Sequence, residues 1–474
     1  MSFCNKTIVG IIFVVAFVSC KKLLQIPAPV GEVSTSQVFS TDNEASAAVA
    51  SMYYTMINGG QTFSDYSITI FCGMSADELE YFDQGQVNDQ FLQNELSPTN
   101  GVVTGVFWQG PYSTLYTANA IIEGLQTYSG VTDSVKNELM GEAEFVRAFC
   151  NFYLVNLFGD VPLVTTIDWR KTNLLSRSTV AQVYAAIVTD LKDAENRLPG
   201  DYSVGQGQRI VPNKWAASAL LARTYLYLNE YDSAESESTK VINNTSLYSL
   251  DNSLDSVFLA NSTEAIWQLQ QGNQISPSFN ATPEGAQFVP SILNGSYAPV
   301  YIMTDGLLNS FETGDQRRIN WVDSTQYSGV VYYFPYKYQM GLDQAVAGGP
   351  DSQYYMVFRL AEQFLIRSEA RAQQGETNWI DDLNVIRVRA GLGPYAGPTD
   401  PASTLGAIYH ERRIELFDEW GHRWLDLKRT GTALSVLDTI SVKAGITKNS
   451  LLYPIPTTEL VTDPNMTQNP GYLQ

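Results

Sequence analysis

The sequence predicts a mainly α-helical protein whose helices pack as antiparallel pairs, with a long irregular segment covering one side. Three observations lead to this prediction. Apolar residues recur at steps of three and four over residues 179–198, which is typical of an amphipathic helix. Residues 213–243 and, more weakly, 364–386 repeat a pattern of small and aromatic residues that suits closely packed helix pairs of the tetratricopeptide kind. Residues 245–357 are rich in aromatic residues, glycine and proline and have no regular period.

Composition excludes several classes of protein. The 474 residues include 29 basic and 49 acidic residues, a net charge of −20, and 44% are hydrophobic. This chain can bury a large core, and its charge would repel nucleic acid and anionic lipid headgroups. We therefore expect a neutral ligand, no nucleic-acid partner, and a membrane attachment that does not use a basic surface.

The N-terminus has the features of a lipoprotein export signal. Lys6 precedes an apolar run over residues 8–18, which at 11 residues is shorter than the roughly 20 that a membrane span needs. The run ends in Phe17-Val18-Ser19-Cys20, which resembles the bacterial lipobox. We expect residues 1–19 to be a signal peptide, Cys20 to carry the lipid, and residues 20–40 to form a tether.

The remaining chain, residues 41–474, is predicted to form one domain. Thr41 and Asp42 can cap a first helix. Residues 61–107 have little helical period, and helices are expected at about 108–128 and 135–157. The paired helices should occupy about 135–243 and 355–390, before a C-terminal region at about 405–474.

The aromatic stretch is the predicted ligand side, since long irregular insertions on a rigid scaffold usually carry function. Most of its rings should still be core residues. We expect residues 77–108 and 250–357 to converge on one shallow, exposed site. Trp321 has charged and amide neighbours in sequence and is predicted to be exposed as a binding ring. Weaker candidates for ligand contact are Tyr327, Tyr81, Asp77 and Trp108, and Trp108 can equally be a helix core residue.

A dense charged segment at 410–429 is the strongest candidate for chemistry, but it lacks the required spacing. A zinc helix needs histidine four residues after His410, where the sequence has Ile414. Helical neighbours such as Arg412 with Glu415, Glu419 with Arg423 and His422 with Asp426 can form ion pairs instead. With two histidines, no phosphate loop and no nucleophile motif, the sequence predicts no catalytic residue, metal site or cofactor. Replacing Glu415 or Arg423 should therefore lower stability.

Several motifs are similar to those of one known family. They are Ile26-Pro27-x-Pro29 after the lipobox, Val38-Phe39, Met52-Tyr53, Glu142-Ala143-x-x-Val146-Arg147-Ala148-Phe149, Phe158-Gly159-Asp160-Val161-Pro162-Leu163, Phe311-Glu312-x-Gly314-Asp315-x-Arg317-Arg318, Arg359-Leu360-Ala361-Glu362, Arg389-Ala390-Gly391-Leu392, His410-Glu411-Arg412-Arg413-x-Glu415-Leu416, Trp420-Gly421-His422-Arg423-Trp424-x-Asp426-Leu427-Lys428-Arg429, Pro454-Ile455-Pro456 and Gln468-Asn469-Pro470-Gly471-Tyr472. The chain thereby resembles the SusD/RagB family of outer-membrane lipoproteins, which capture glycans for TonB-dependent transporters.

The resemblance implies a SusD-like fold, no enzymatic activity, a glycan ligand and a SusC-like transporter as partner. It also implies a lipid-anchored protein of the outer membrane, displayed at the cell surface. Two positions depart from the family pattern, since Gln25 stands where aspartate is common and Lys21-Lys22 follow Cys20 without acidic residues. Two alternatives remain open, namely capture of peptides by the same architecture and a tetratricopeptide scaffold for other proteins.

Overall fold

The structure is a computed structural model that describes residues 34–83, 87–294 and 297–473. Cys20 and the predicted signal peptide lie outside the described residues. The α-helices are α1 Thr35–Val38, α2 Asp42–Asn58, α3 Ile68–Ser75, α4 Asp89–Gln93, α5 Gly110–Thr127, α6 Asp133–Phe158, α7 Trp169–Thr172, α8 Val180–Arg197, α9 Lys214–Tyr227, α10 Tyr231–Ile242, α11 Pro283–Phe288, α12 Asp305–Leu308, α13 Arg317–Asn320, α14 Leu360–Gln373, α15 Trp379–Arg389, α16 Pro401–Glu415, α17 His422–Arg429, α18 Ala433–Leu437 and α19 Thr457–Thr462. The strands are β1 Leu79–Tyr81, β2 Ala265–Leu269, β3 Tyr301–Met303, β4 Val322–Tyr327, β5 Val330–Pro335 and β6 Tyr355–Arg359.

The longer helices form a continuous array of neighbours. Helix α5 packs on α6, α6 on α8, α8 on α9, α9 on α10, α10 on α14, and α14 on α15 and α16. The predicted cap at Thr41 is present, since its side chain accepts a hydrogen bond from the backbone of Glu44. Thr179 likewise accepts from the backbone of Gln182, and Asn213 accepts from Trp215 and Ala216. The predicted mainly α fold built from helix pairs is confirmed.

The segment at 61–107 contains more helix than the sequence predicts. It includes α3, α4 and two π-helices, Phe63–Ser67 and Val103–Gln109. All eight residues of α3 are buried, so this helix has no polar face and leaves no amphipathic period in the sequence. The lack of period in this segment reflects complete burial and not only loops.

The aromatic stretch at 245–357 contributes rings to the main core. Its buried rings in this core include Trp267, Phe288, Tyr301, Trp321, Tyr338, Tyr248, Phe258 and Tyr355. Trp267 lies edge-on to Phe145 and Phe149 of α6, with ring centroids 5.0 and 5.6 Å apart. The insertion is therefore anchored to the helical scaffold through its own aromatic residues.

The charged segment at 410–429 is two helices and not one. Helix α16 ends at Glu415, and α17 begins at His422 after Gly421 adopts a φ of +69°. An alanine Cβ at Gly421 would lie 2.6 Å from the Cβ of Cys72 in α3, so this turn needs glycine for its conformation and for its close approach.

Most ion pairs of this segment are long-range, which corrects the predicted helical neighbours; one local pair joins Arg429 and Asp426 at 2.7 Å. Glu415 is fully buried and accepts hydrogen bonds from Arg317, Arg359 and Arg389. Arg359 also reaches Glu419, with a distance of 2.8 Å between Nε and Oε2. These partners come from segments 26 to 98 residues away, because the two helices pack against distant parts of the chain.

The other predicted pairs are also replaced. Arg412 pairs with Asp426 at 2.8 Å, and Arg423 pairs with Asp77 at 2.7 Å. The His422 Nε2 lies 4.0 Å from Glu362, and burial together with nearby arginines lowers the pKa of this histidine well below its usual value. It is therefore neutral in the folded protein at pH 7.

Within the described residues, no helix has the length and apolar character that crossing a bilayer would require.

Candidate ligand-binding cleft

A cleft of about 720 Å³ opens where the short strands meet the C-terminal helices. The two strands β1 and β3 pair antiparallel, with Glu80 opposite Ile302. Leu79 is buried on the core side, so its neighbour Glu80 is presented to the cleft beside Ile302. The lining residues are Asp77, Glu80, Ile302, Met303, Thr304, Asp305, Gly306, Leu308, Val331, Tyr332, Tyr333, Arg413, Arg423, Val436, Thr439 and Ile440.

Thr304 fixes the end of β3 to the start of β1. Its backbone N–H donates to the carbonyl of Glu78 at 2.9 Å, and its hydroxyl donates to the carbonyl of Asp77 at 2.7 Å. The same hydroxyl accepts from the backbone of Leu307 and so caps α12. One residue thus holds Asp77 and Asp305 on adjoining walls of the cleft.

The hairpin of β4 and β5 supplies the aromatic wall. Its turn, Ser328-Gly329, has φ values of +50° and +83°, as a two-residue hairpin of type I′ requires. Tyr332 and Tyr333 of β5 line the cleft, and both rings are half-buried. The guanidinium of Arg318 lies over the Tyr333 ring, 4.6 Å from its centroid.

A small aromatic group continues from this wall. Phe82 follows β1 and meets the rings of Tyr327 and Tyr332 edge-on, with centroids 5.7 and 5.2 Å apart. Tyr81 packs on the ring of Tyr301 at 5.4 Å. These half-buried rings are therefore held in place by contacts with other rings.

Asp77, Arg413 and Arg423 form the charged floor of the cleft. Arg423 binds Asp77 through two hydrogen bonds of 2.7 and 2.9 Å, and Arg413 approaches the second oxygen at 2.8 Å. Burial raises the pKa of Asp77, but the two arginines outweigh burial and hold it below its usual value. Asp77 is thus ionised and already paired on both oxygens.

Two further carboxyl groups lie behind this floor. Glu78 and Asp418 are both buried, and burial and the repulsion of nearby carboxylates raise the pKa of each well above its usual value. These groups therefore favour the protonated form in the folded protein, which limits the negative charge under the floor.

The sequence-predicted site residues divide into two groups. Residues 77–108 and 250–357 do converge, since β1 pairs with β3 and Phe82 contacts the β4 and β5 hairpin. Asp77 lines the cleft, and Tyr81 and Tyr327 lie half-buried next to it. Ligand contact by these three residues stays a prediction.

The expected exposure of Trp321 is wrong. Its side chain is 1% exposed, its indole N–H donates to the carbonyl of Leu254 at 2.9 Å, and the ammonium of Lys337 lies 4.8 Å from its ring centroid. Its polar sequence neighbour Arg317 is itself buried in ion pairs, so polar neighbours do not indicate exposure here. Trp321 therefore has no free face for a ligand.

Trp108 is a core residue in the second π-helix. It is 3% exposed and packs edge-on to Phe158, with centroids 4.9 Å apart. Of the two roles that the sequence allows for Trp108, ligand contact or helix core, the structure shows the position of a core residue.

Several residues that line the cleft were not among the site residues predicted from the sequence. They are Glu80, Tyr332, Tyr333, Arg413 and Arg423. The two tyrosines could be found from the strand-like run Val330-Val331-Tyr332-Tyr333-Phe334 after a Ser-Gly turn. The arginines could not, because their partner Asp77 is more than 300 residues away in sequence.

The described residues form a scaffold of helix pairs, and an irregular insertion builds a cleft against its C-terminal helices. Two family models match the chain, one described as "Starch-binding associating with outer membrane" over residues 32–226 and one described as "SusD family" over residues 192–472. The chain belongs to the SusD family.

Similar proteins cover nearly the whole chain. A SusD-like protein P2 of Formosa agariphila is 28% identical over 98% of each chain, and a SusD-like protein P38 of the same organism is 25% identical over 96% of each. Among solved structures, a SusD superfamily protein of Bacteroides vulgatus superposes with a TM-score of 0.78, covering 92% of this chain and 100% of its own at 23% identity. A laminarin-binding SusD-like protein superposes with a TM-score of 0.76 at 24% identity, covering 91% and 100% of the two chains.

Proposed function

We propose that this protein is a non-catalytic lipoprotein that binds oligosaccharides in the cleft and passes them to a SusC-like, TonB-dependent transporter. The observation that carries the proposal is the juxtaposition of the half-buried rings of Tyr332 and Tyr333 with carboxylates and guanidinium groups on the facing walls. Sugars offer an apolar face to aromatic rings and hydroxyl groups to polar side chains.

The relatives support the choice of ligand. One structural neighbour is described as laminarin-binding, and one matching family model is described as starch-binding and associated with the outer membrane. The lipobox-like sequence ending at Cys20 supports attachment of the chain to a membrane by a lipid. The outer membrane as its location, with the domain displayed at the cell surface, is inferred from the family and not from this motif.

Calorimetry with oligosaccharides from laminarin, starch and xylan tests the binding step. We expect Tyr332→Ala to weaken binding of the best of these ligands by about 2 kcal/mol, as for an aromatic anchor. Tyr332→Phe should retain most of the affinity if the ring face is what binds. Tyr116→Ala is the matched control, since Tyr116 is 58% exposed on α5 and does not line the cleft.

A peptide ligand is the second candidate in the same architecture, and it is tested in the same experiment. Binding of unstructured peptides with no response to any oligosaccharide would replace the glycan proposal. For delivery, a strain carrying Tyr332→Ala should grow poorly on the glycan that binds best. Normal growth of that strain would argue against this cleft as the entry point to the transporter.

A further inference from the structure

We infer that the cleft selects neutral oligosaccharides and rejects those carrying uronate or sulfate groups, with Glu80 and Asp305 as the residues that determine this selectivity. The inference rests on the proposed function, because it concerns the ligand of the same cleft. It follows from which charged groups of the cleft are already paired and which are free.

The two cationic groups of the lining are engaged by the protein itself. Arg423 uses its Nε and one terminal nitrogen on the two oxygens of Asp77, and Arg413 uses a terminal nitrogen on the same carboxylate. Their side chains are only 13% and 16% exposed. Binding of a ligand carboxylate or sulfate here would have to compete with a buried, bidentate ion pair.

The two remaining carboxylates have no such partner. Among the described residues, neither the Glu80 nor the Asp305 side chain makes an ion pair or a hydrogen bond, and both line the cleft. Asp305 is exposed at the start of α12, and Glu80 is half-buried on β1. Both carboxylates line the same cleft, and burial together with the charge of Asp305 raises the pKa of Glu80.

The cation behind this wall, Lys443, lowers the pKa of Glu80 but offsets the charge of the two carboxylates only in part. Lys443 is buried, and its ammonium donates to the carbonyls of Met74 and Leu92 and to Oδ1 of Asn94. Burial lowers its pKa to about 7, so it is only partly charged at neutral pH. Lys443 does not line the cleft, and its donors are already used.

Free carboxylates accept hydrogen bonds from sugar hydroxyl groups but repel anions. If an anionic group of the ligand binds about 6 Å from one of these carboxylates, and the effective dielectric constant is about 40, the repulsion lowers its affinity roughly tenfold. Each carboxylate contributes a factor of this size. The chain's net charge of −20 adds a repulsion of the same sign at low salt.

The test uses neutral oligosaccharides from laminarin, starch and xylan beside acidic ones from alginate and polygalacturonate, measured by calorimetry at low salt. We expect the full-length domain to bind at least one neutral probe and to bind every acidic probe at least about tenfold more weakly. The best neutral probe, oxidised at C6 to its uronate, should lose affinity by a similar factor.

The double variant Glu80→Gln with Asp305→Asn should bring the oxidised probe within about threefold of the neutral one while the neutral affinity changes little. Glu376→Gln is the control, because Glu376 is exposed after α14 and lies outside the cleft. An acidic probe that binds the wild-type protein as well as a neutral one overturns the inference. An unchanged ratio in the double variant also overturns it. Both outcomes leave the proposed function intact, whereas binding of peptides and of no glycan overturns the proposed function itself.

Discussion

Glu415 offers the sharpest test of whether the charged C-terminal segment is structural. Its carboxylate is fully buried and accepts from three guanidinium groups, those of Arg317, Arg359 and Arg389. Burial raises the pKa of Glu415, but these arginines outweigh burial and hold it well below its usual value. The charge is therefore present in the folded protein and is balanced only by its partners.

Glu415→Ala should lower the free energy of unfolding by about 3 to 4 kcal/mol, the lower part of the range for breaking a buried ion pair. The lower part applies because each arginine keeps another carboxylate, namely Glu411 for Arg317, Glu419 for Arg359 and Glu264 for Arg389. Urea denaturation followed by circular dichroism measures the change.

The exposed Glu376→Ala serves as control and should shift stability by less than about 0.5 kcal/mol. A loss below about 1 kcal/mol for Glu415→Ala would refute the reasoning. So would a Glu415→Ala protein of full stability that no longer binds its ligand, because Glu415 would then have a functional role.

Three other predictions follow from single features of the chain. Cys20→Ala should abolish fatty-acid labelling and release a folded, soluble protein, and retained labelling would exclude Cys20 as the anchor. Gly421→Ala should destabilise the protein by about 2 kcal/mol more than Gly431→Ala. Both glycines have φ near +70°, but only an added Cβ at Gly421 would clash with the side chain of Cys72. Equal melting temperatures of the two variants would contradict this clash. Burial raises the pKa of Glu142 to about 8. The folded protein therefore keeps a proton on this carboxyl group that the unfolded chain releases near pH 4.5. The contribution of Glu142 to stability consequently falls as the pH rises from about 4.5 to about 8. Glu142→Gln should therefore gain stability relative to the wild type between pH 5 and pH 8 in thermal unfolding, and a constant difference across that range would show that Glu142 is ionised in the folded protein.

Apolar periodicity predicts helices that keep one polar face, such as α8, which is predicted at 179–198 and spans Val180–Arg197. The pair predicted at 213–243 spans Lys214–Tyr227 and Tyr231–Ile242. Its first helix is buried from Ala216 to Leu226 and is predicted from its small and aromatic residues instead. Helix α3 could not be predicted in this way, since its residues are buried on every side. Periodicity reports the boundary between core and solvent, so it is silent where a helix has no such boundary.

The sequence predicts which two segments meet at the cleft, but it does not predict which charged residues line the cleft or how they pair. Aromatic residues without helical period mark both sequence segments that meet at β1 and β3. The failure at Trp321 has a specific cause, because its neighbour Arg317 is neutralised by Asp315 and Glu411 within the core. A charged residue in sequence indicates exposure only if no distant partner is buried with it.

The C-terminal helices connect the stability of the scaffold with the shape of the cleft. The buried network around Glu415 fixes the end of α16, and Arg413, two residues earlier on the same helix, reaches the cleft floor at Asp77. Arg423 of α17 holds the other side of the same carboxylate, and Thr304 ties the backbone of Asp77 to β3. Any shift of α16 relative to α17 would therefore move two guanidinium groups against a single aspartate. The ion pairs of this segment thus hold three separate parts of the chain in register at one cleft.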